Sequence, residues 1–227
     1  SYIVFVIILI PYQMRKGKLL THKIDILLRQ LNKGDIENYI IGMKKLLSET
    51  ENDYLKSMLT MNMAIGYTLK GEFEQANAHL ECIDTNSVDK RTQMVLYHNI
   101  ALNAFWAGET KKACIIMESH EDILKTGLES SYFKNSFGET FALWSFAIGK
   151  REQGFTYLEN IIKDETAKSE DKVASHNAGN KTTKGKTNKV AGNTAAKTGD
   201  AANPFALAGL VLLSGIVLIE MRKRKAA

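Results

Sequence analysis

The sequence predicts an all-α protein: a right-handed solenoid of about four α-hairpins, with a C-terminal transmembrane helix and a partial apolar segment at the N-terminus. Three observations predict it. Four glycines recur in matching contexts, Gly34 in LNKGDIENYI, Gly71 in TLKGEFEQAN, Gly108 in FWAGETKKAC and Gly149 in FAIGKREQGF, at spacings of 37, 37 and 41 residues. Each follows one amphipathic run and precedes another, the pattern of a helix, a tight turn and an antiparallel partner helix. Both prolines, Pro11 and Pro204, lie outside this body, so nothing within it breaks a helix.

In chain order, residues 1–18 come first. Tyr2 to Tyr12 read YIVFVIILIPY and are followed by Arg15, Lys16 and Lys18. Eleven residues fall short of the roughly 20 needed to cross a bilayer, so the segment reads as the end of a truncated transmembrane helix with a basic flank. Residues 19–163 form the repeat body. Seven residues before the last three turn glycines stand Ala64, Ala101 and Ala142, and five residues after them stand Ala76, Ala113 and Gly154. Small residues at fixed places on both arms let two helix backbones approach closely. Tyr67 and Phe73, Ile100 and Ile116, and Leu143 and Leu158 are the larger core candidates around them. A lone hairpin cannot bury its own apolar face, but stacked neighbours create a continuous core.

Residues 164–200 are dominated by Lys, Thr, Asn, Ala and Gly, without an aromatic residue. Such a segment buries too little apolar area to offset an ordering cost of about 1–2 kcal/mol per residue, and it reads as a disordered tether. From Ala201 to Ile219 there is no charge across 19 residues, and Glu220 and Met221 lead into Arg222, Lys223, Arg224 and Lys225. At about 1.5 Å per residue this stretch reaches roughly 28 Å, the hydrocarbon thickness of a bilayer. Residues 201–220 therefore read as a membrane-spanning helix and residues 221–227 as its basic tail.

Charge separates the body from its ends. Between His22 and Lys163 there are 16 Lys+Arg and 19 Asp+Glu, whereas the rest of the chain carries 14 basic and 6 acidic residues. A slightly acidic body lacks the basic face that duplex phosphates require, so nucleic acid is not an expected partner. Basic flanks beside apolar segments instead indicate a membrane surface and place the protein at the cell membrane. The flank after the C-terminal span puts that end inside and the repeats outside; the flank after the N-terminal segment argues the reverse. The complete span favours extracytoplasmic repeats.

Sites for chemistry are scarce. Cys82 and Cys114 have no CxxC spacing and no histidine at ligand spacing, and are expected to be buried small hydrophobes. His79 and Cys82, three residues apart, lack further ligands. His120 stands among Glu118, Glu121 and Asp122, but residues one or two apart on a helix do not converge. No phosphate-binding glycine loop, GxSxG, HExxH or catalytic triad is present, so no enzyme activity, metal or cofactor is expected.

Asn62–Ala76, NMAIGYTLKGEFEQA, and Asn99–Ala113, NIALNAFWAGETKKA, resemble the tetratricopeptide repeat family; Thr140–Gly154 is a degenerate match, and His22–Leu47 matches only at its turn. The proline that often closes a unit is absent, and the periods exceed the family's 34 residues. The resemblance implies a concave peptide-binding groove lined by the first helix of each unit: Met58, Met61, Asn62 and Ile65 in one, and Val95, His98, Asn99, Leu102 and Phe105 in the next. Asn62 and Asn99 are equivalent. An amide that donates and accepts at once suits a peptide backbone. The positions where some relatives clamp a carboxylate with cations hold Met61, Ser136 and Thr140, so an apolar or amphipathic protein segment is the expected ligand.

The tail is similar to the C-terminal sorting signal of Gram-positive bacterial surface proteins. Where that signal has Leu-Pro-x-Thr-Gly, this chain has Ala195, Ala196, Lys197, Thr198 and Gly199, so Leu and Pro are missing and simple membrane anchoring is the better reading. The expected function is a non-catalytic, membrane-anchored scaffold that binds a protein or peptide partner. The alternative is a surface-displayed structural or adhesive protein of a Gram-positive bacterium.

Overall fold

In the computed structural model, residues 19–164 are described; the expected N-terminal apolar segment, tether, transmembrane helix and basic tail lie outside the described residues. Within them the fold is entirely helical, and no helix is long and apolar enough to cross a membrane. The helices are α1 (19–32), α2 (Ile36–Ser48), α3 (Asp53–Lys70), α4 (Phe73–Glu81), α5 (Lys90–Trp106), α6 (Thr110–Ser119), α7 (Glu121–Leu128), α8 (Lys134–Ala147) and α9 (151–164). A short 3-10 turn, Thr85–Ser87, follows α4.

The four glycines end α1, α3, α5 and α8 in one backbone geometry. Their φ angles are 83°, 82°, 81° and 80° for Gly34, Gly71, Gly108 and Gly149. In each turn the glycine N–H donates three residues back and the next N–H donates five back: Gly34 to Leu31 and Asp35 to Gln30, Gly71 to Thr68 and Glu72 to Tyr67, Gly108 to Phe105 and Glu109 to Ala104, Gly149 to Phe146 and Lys150 to Ser145. This is the Schellman closure, in which a left-handed residue satisfies the last carbonyls of a helix. Glycine adopts that conformation without a Cβ penalty. The second helices α2, α4 and α6 then start directly from the turn without a side-chain cap, whereas α3 and α5 start behind loops and are capped by Asn52 Oδ1 and Asp89 Oδ1.

Within each hairpin the small residues sit where the arms touch. Ala64, Ala101 and Ala142 are buried, as are Ala76 and Ala113. A Cβ on Gly154 would come within 2.6 Å of the Phe146 ring. The core runs continuously from Leu31, Tyr39 and Met43 through Leu59, Leu80 and Leu96 to Phe137, Phe141 and Trp144. Of the larger residues singled out beforehand, Tyr67 and Ile100 are buried, while Phe73, Ile116, Leu143 and Leu158 are half-buried.

About eight helices were expected, and the described residues contain nine. The addition is α7. The return arm of the third hairpin breaks at His120, which caps both α6 and α7 and stacks on Tyr97 of α5 at 3.5 Å between ring centroids. Beyond the break, Thr126 Oγ1 of α7 reaches Met94 Sδ near the start of α5. In the second hairpin the return arm is the nine-residue α4, followed by the 3-10 turn. The longer, kinked arm accounts for the 41-residue spacing between Gly108 and Gly149.

Candidate functional site

Each junction between successive hairpins holds buried side-chain hydrogen bonds of its own kind. Between the first and second, Tyr39 Oη donates to the Asn62 carbonyl at 2.8 Å. Burial pushes the Tyr39 phenol well above its usual range, which keeps it a neutral donor. Between the second and third, Thr68 Oγ1 shares its proton between Asn103 Oδ1 at 2.9 Å and the Ala64 carbonyl at 3.1 Å, and Asn77 Nδ2 donates to the Ile100 carbonyl at 3.1 Å. Between the third and fourth, His98 lies with Nε2 3.1 Å from Ser136 Oγ and Nδ1 3.2 Å from Thr140 Oγ1, its ring stacked 4.1 Å from Phe137. A neutral imidazole offers one donor and one acceptor, and two hydroxyls can answer both. Burial pushes the His98 pKa down to about 3, so the ring is uncharged at neutral pH.

These junctions absorb most of the expected groove. Met58, Met61, Asn62 and Ile65 are buried on α3, and Val95, His98 and Leu102 are buried on α5. Only Asn99 and Phe105 keep partial exposure. Asn62 and Asn99, equivalent in sequence, are therefore different in structure. Asn62 is 1% exposed, with Nδ2 donating to the Met58 carbonyl at 3.0 Å and Oδ1 without a hydrogen-bond partner. Asn99 stands at a cleft between α3 and α5 lined by Ala64, Ile65, Thr68, Leu80, Leu102 and Asn103, with about 260 Å³ of atom-free space that opens to solvent. Its enclosed part has room for about one water and no more.

The structure thus brings Ile65, Asn99 and Leu102 together at the cleft and leaves the remaining expected residues elsewhere. Thr68 and Asn103 were missed. Their signal was available: Asn103 lies four residues after Asn99, on the same helix face.

The cysteine expectation needs correction. Cys82 is exposed, at the end of the short α4, with its thiol donating to the Ala78 carbonyl at 3.1 Å. Cys114 is half-buried, and burial, aided by the Glu118 carboxylate, pushes its pKa up. His79 stacks on Tyr67, with ring centroids 5.1 Å apart, and Lys44 lies over the same Tyr67 ring at 5.5 Å. Burial first and Lys44 second lower the His79 pKa. Among the described residues, no three His, Cys, Asp or Glu side chains converge as metal ligands.

Comparison with protein-family models, curated proteins and solved structures returns no match for this chain.

Proposed function

We propose that the chain is a non-catalytic, membrane-anchored scaffold of tetratricopeptide type that binds a protein segment across the first-helix face of its second and third hairpins. The observation that carries this reading is the cleft between α3 and α5, where the half-exposed Asn99 amide and the buried Thr68 and Asn103 sit among apolar walls. The four identical glycine turns support the repeat assignment. Apolar segments at both ends of the sequence, each with a basic flank, support the anchor. Tethering beside a membrane raises the local concentration of partners held there, so modest intrinsic affinity suffices.

Asn99 and Phe105 are the contacts open to a ligand. Asn62 braces α3 from inside, so its replacement tests folding more than binding. A photo-crosslinker introduced at position 99 of the full chain in cells is expected to capture a partner that the same group at Ile41, exposed on α2, does not. Equal capture at both positions, or none at 99, contradicts the reading.

A further inference from the structure

The first and last helices of the array present matching stripes. On α1 the exposed residues as far as position 29 are Leu19, His22, Ile26 and Arg29, spaced three and four apart and therefore on one face. Leu19 is 57% and Ile26 44% exposed. On α9 the same spacing picks out Glu152, Phe155, Glu159 and Ile162, all exposed, with Phe155 at 57% and Ile162 at 65%. The other exposed charges of α9, Arg151 and Lys163, flank this stripe. An apolar and basic stripe thus opens the array, and an apolar and acidic one ends it.

Two joints inside the array show how such stripes meet. At the first, α3 runs antiparallel to α2: Tyr39 bonds to the Asn62 carbonyl, and Glu37 pairs with Lys70 at 2.8 Å. Glu37 stands three residues after Gly34, and Lys70 stands one before Gly71. The same places at the free ends hold Glu152, three after Gly149, and Lys33, one before Gly34. At the second joint Asn77, six after Gly71, bonds to the carbonyl of Ile100, eight before Gly108. Phe155 is six after Gly149, and Ile26 is eight before Gly34. When α9 is laid antiparallel on α1 of another copy in that register, Phe155 meets Ile26, Ile162 meets Leu19, Glu159 meets His22 and Glu152 meets Arg29, with Lys33 one turn beyond. Apolar faces apolar, and each glutamate faces a nitrogen donor.

We propose that α9 of one copy packs on α1 of a second copy, head to tail, so that the array continues from the last hairpin of one chain into the first hairpin of the next. Such a contact is heterologous: each added copy leaves another α9 stripe open, and copies join in rows. Charge selects this occupant. Two-fold pairing of α9 with itself would gather Glu152 and Glu159 of both copies in one seam, and two-fold pairing of α1 would gather both arginines. A helix from another protein would have to reproduce the order of apolar and basic residues that α1 already carries. Arg29, Lys33, Glu152 and Glu159 form no ion pair among the described residues, so the new pairs displace none. This surface is distinct from the Asn99 cleft, and either assignment can fail alone.

Two variants of the full 227-residue chain, sedimented in mild detergent, test this. Phe155→Glu with Ile162→Glu spoils the α9 stripe, and Ile26→Glu spoils the α1 stripe. The wild type should form a concentration-dependent series of oligomers. Each variant alone should associate at least tenfold more weakly, and Ile41→Glu, on α2, should associate as the wild type does. An equimolar mixture of the two variants should recover a one-to-one pair and nothing larger, because the intact α9 of one meets the intact α1 of the other. That recovery is particular to a head-to-tail contact and shows that both variants fold. A monomeric wild type, or variants of unchanged helicity whose mixture recovers no pair, overturns the proposal. A photo-crosslinker at position 155 keeps the test independent of how the variants fold: in cells it should join α1 of a differently tagged copy. A product with α9 of that copy, with its own chain or with another protein gives the face to that occupant and overturns the proposal too.

Discussion

At the turns, this protein closes all four hairpins with one backbone device, a left-handed glycine and the same pair of N–H donations. At the joints between hairpins it uses something new each time: a tyrosine on a backbone carbonyl, a threonine with two asparagines, then a histidine between two hydroxyls. A turn is a local problem, set by φ and by helix-end carbonyls, and it has one economical answer. A joint is set by whichever side chains meet across two curved surfaces, and many combinations satisfy the same volume and hydrogen-bond requirements. The difference teaches that the repeat is conserved within this chain at the level of its backbone, while each joint is an individual structure.

Breaking a joint should therefore cost more than breaking a turn. The largest effect is expected at Phe137, fully buried between His98, Phe133 and the place a Gly127 side chain would take. Phe137→Ala should lower stability by about 3–5 kcal/mol, read as a shift of the urea midpoint.

The third joint also predicts an acid sensitivity. The folded pKa of His98 is about 3, below its ordinary 6.5, so between these values the unfolded chain binds a proton that the folded chain refuses. Its contribution is fully present above pH 6.5 and is lost as the pH falls toward 3. The slope is up to about 1.4 kcal/mol per pH unit, or roughly 2 kcal/mol by pH 5. The His98→Gln variant should lose this part of the slope; an unchanged pH profile in its denaturation midpoints would show that the buried imidazole is not the titrating group.

The contrast between turns and joints also explains what could be read from the sequence. The all-helical class, the four glycines and the paired small residues Ala64 with Ala76 and Ala101 with Ala113 were legible, because close backbone approach and positive φ restrict residue type. The α7 helix was not, since nothing in MESHEDIL separates a kink at His120 from a straight helix. Most residues of the expected groove are buried, for a packing reason. From Ser57 to Leu69 only Thr60 escapes burial, so α3 has little outward face, and periodicity alone does not tell an inward methionine from an outward one. Polar residues mislead in the same way. Thr68, His98 and Asn103 look like surface in a sequence and are junction residues in the fold, because each side chain finds a partner that only stacking supplies, whereas the buried Asn62 takes part through its backbone carbonyl.

The measurement that tests this account most directly is the stability of Gly34→Ala, Gly108→Ala and Gly149→Ala side by side. Their φ angles are 83°, 81° and 80°, and a Cβ at each would meet nothing within 4 Å, so only the backbone term changes. If one backbone device closes every hairpin, the three should lose the same stability within error, about 1–2 kcal/mol each. Costs that differ between sites by more than about 1 kcal/mol, or no cost at all, would contradict it.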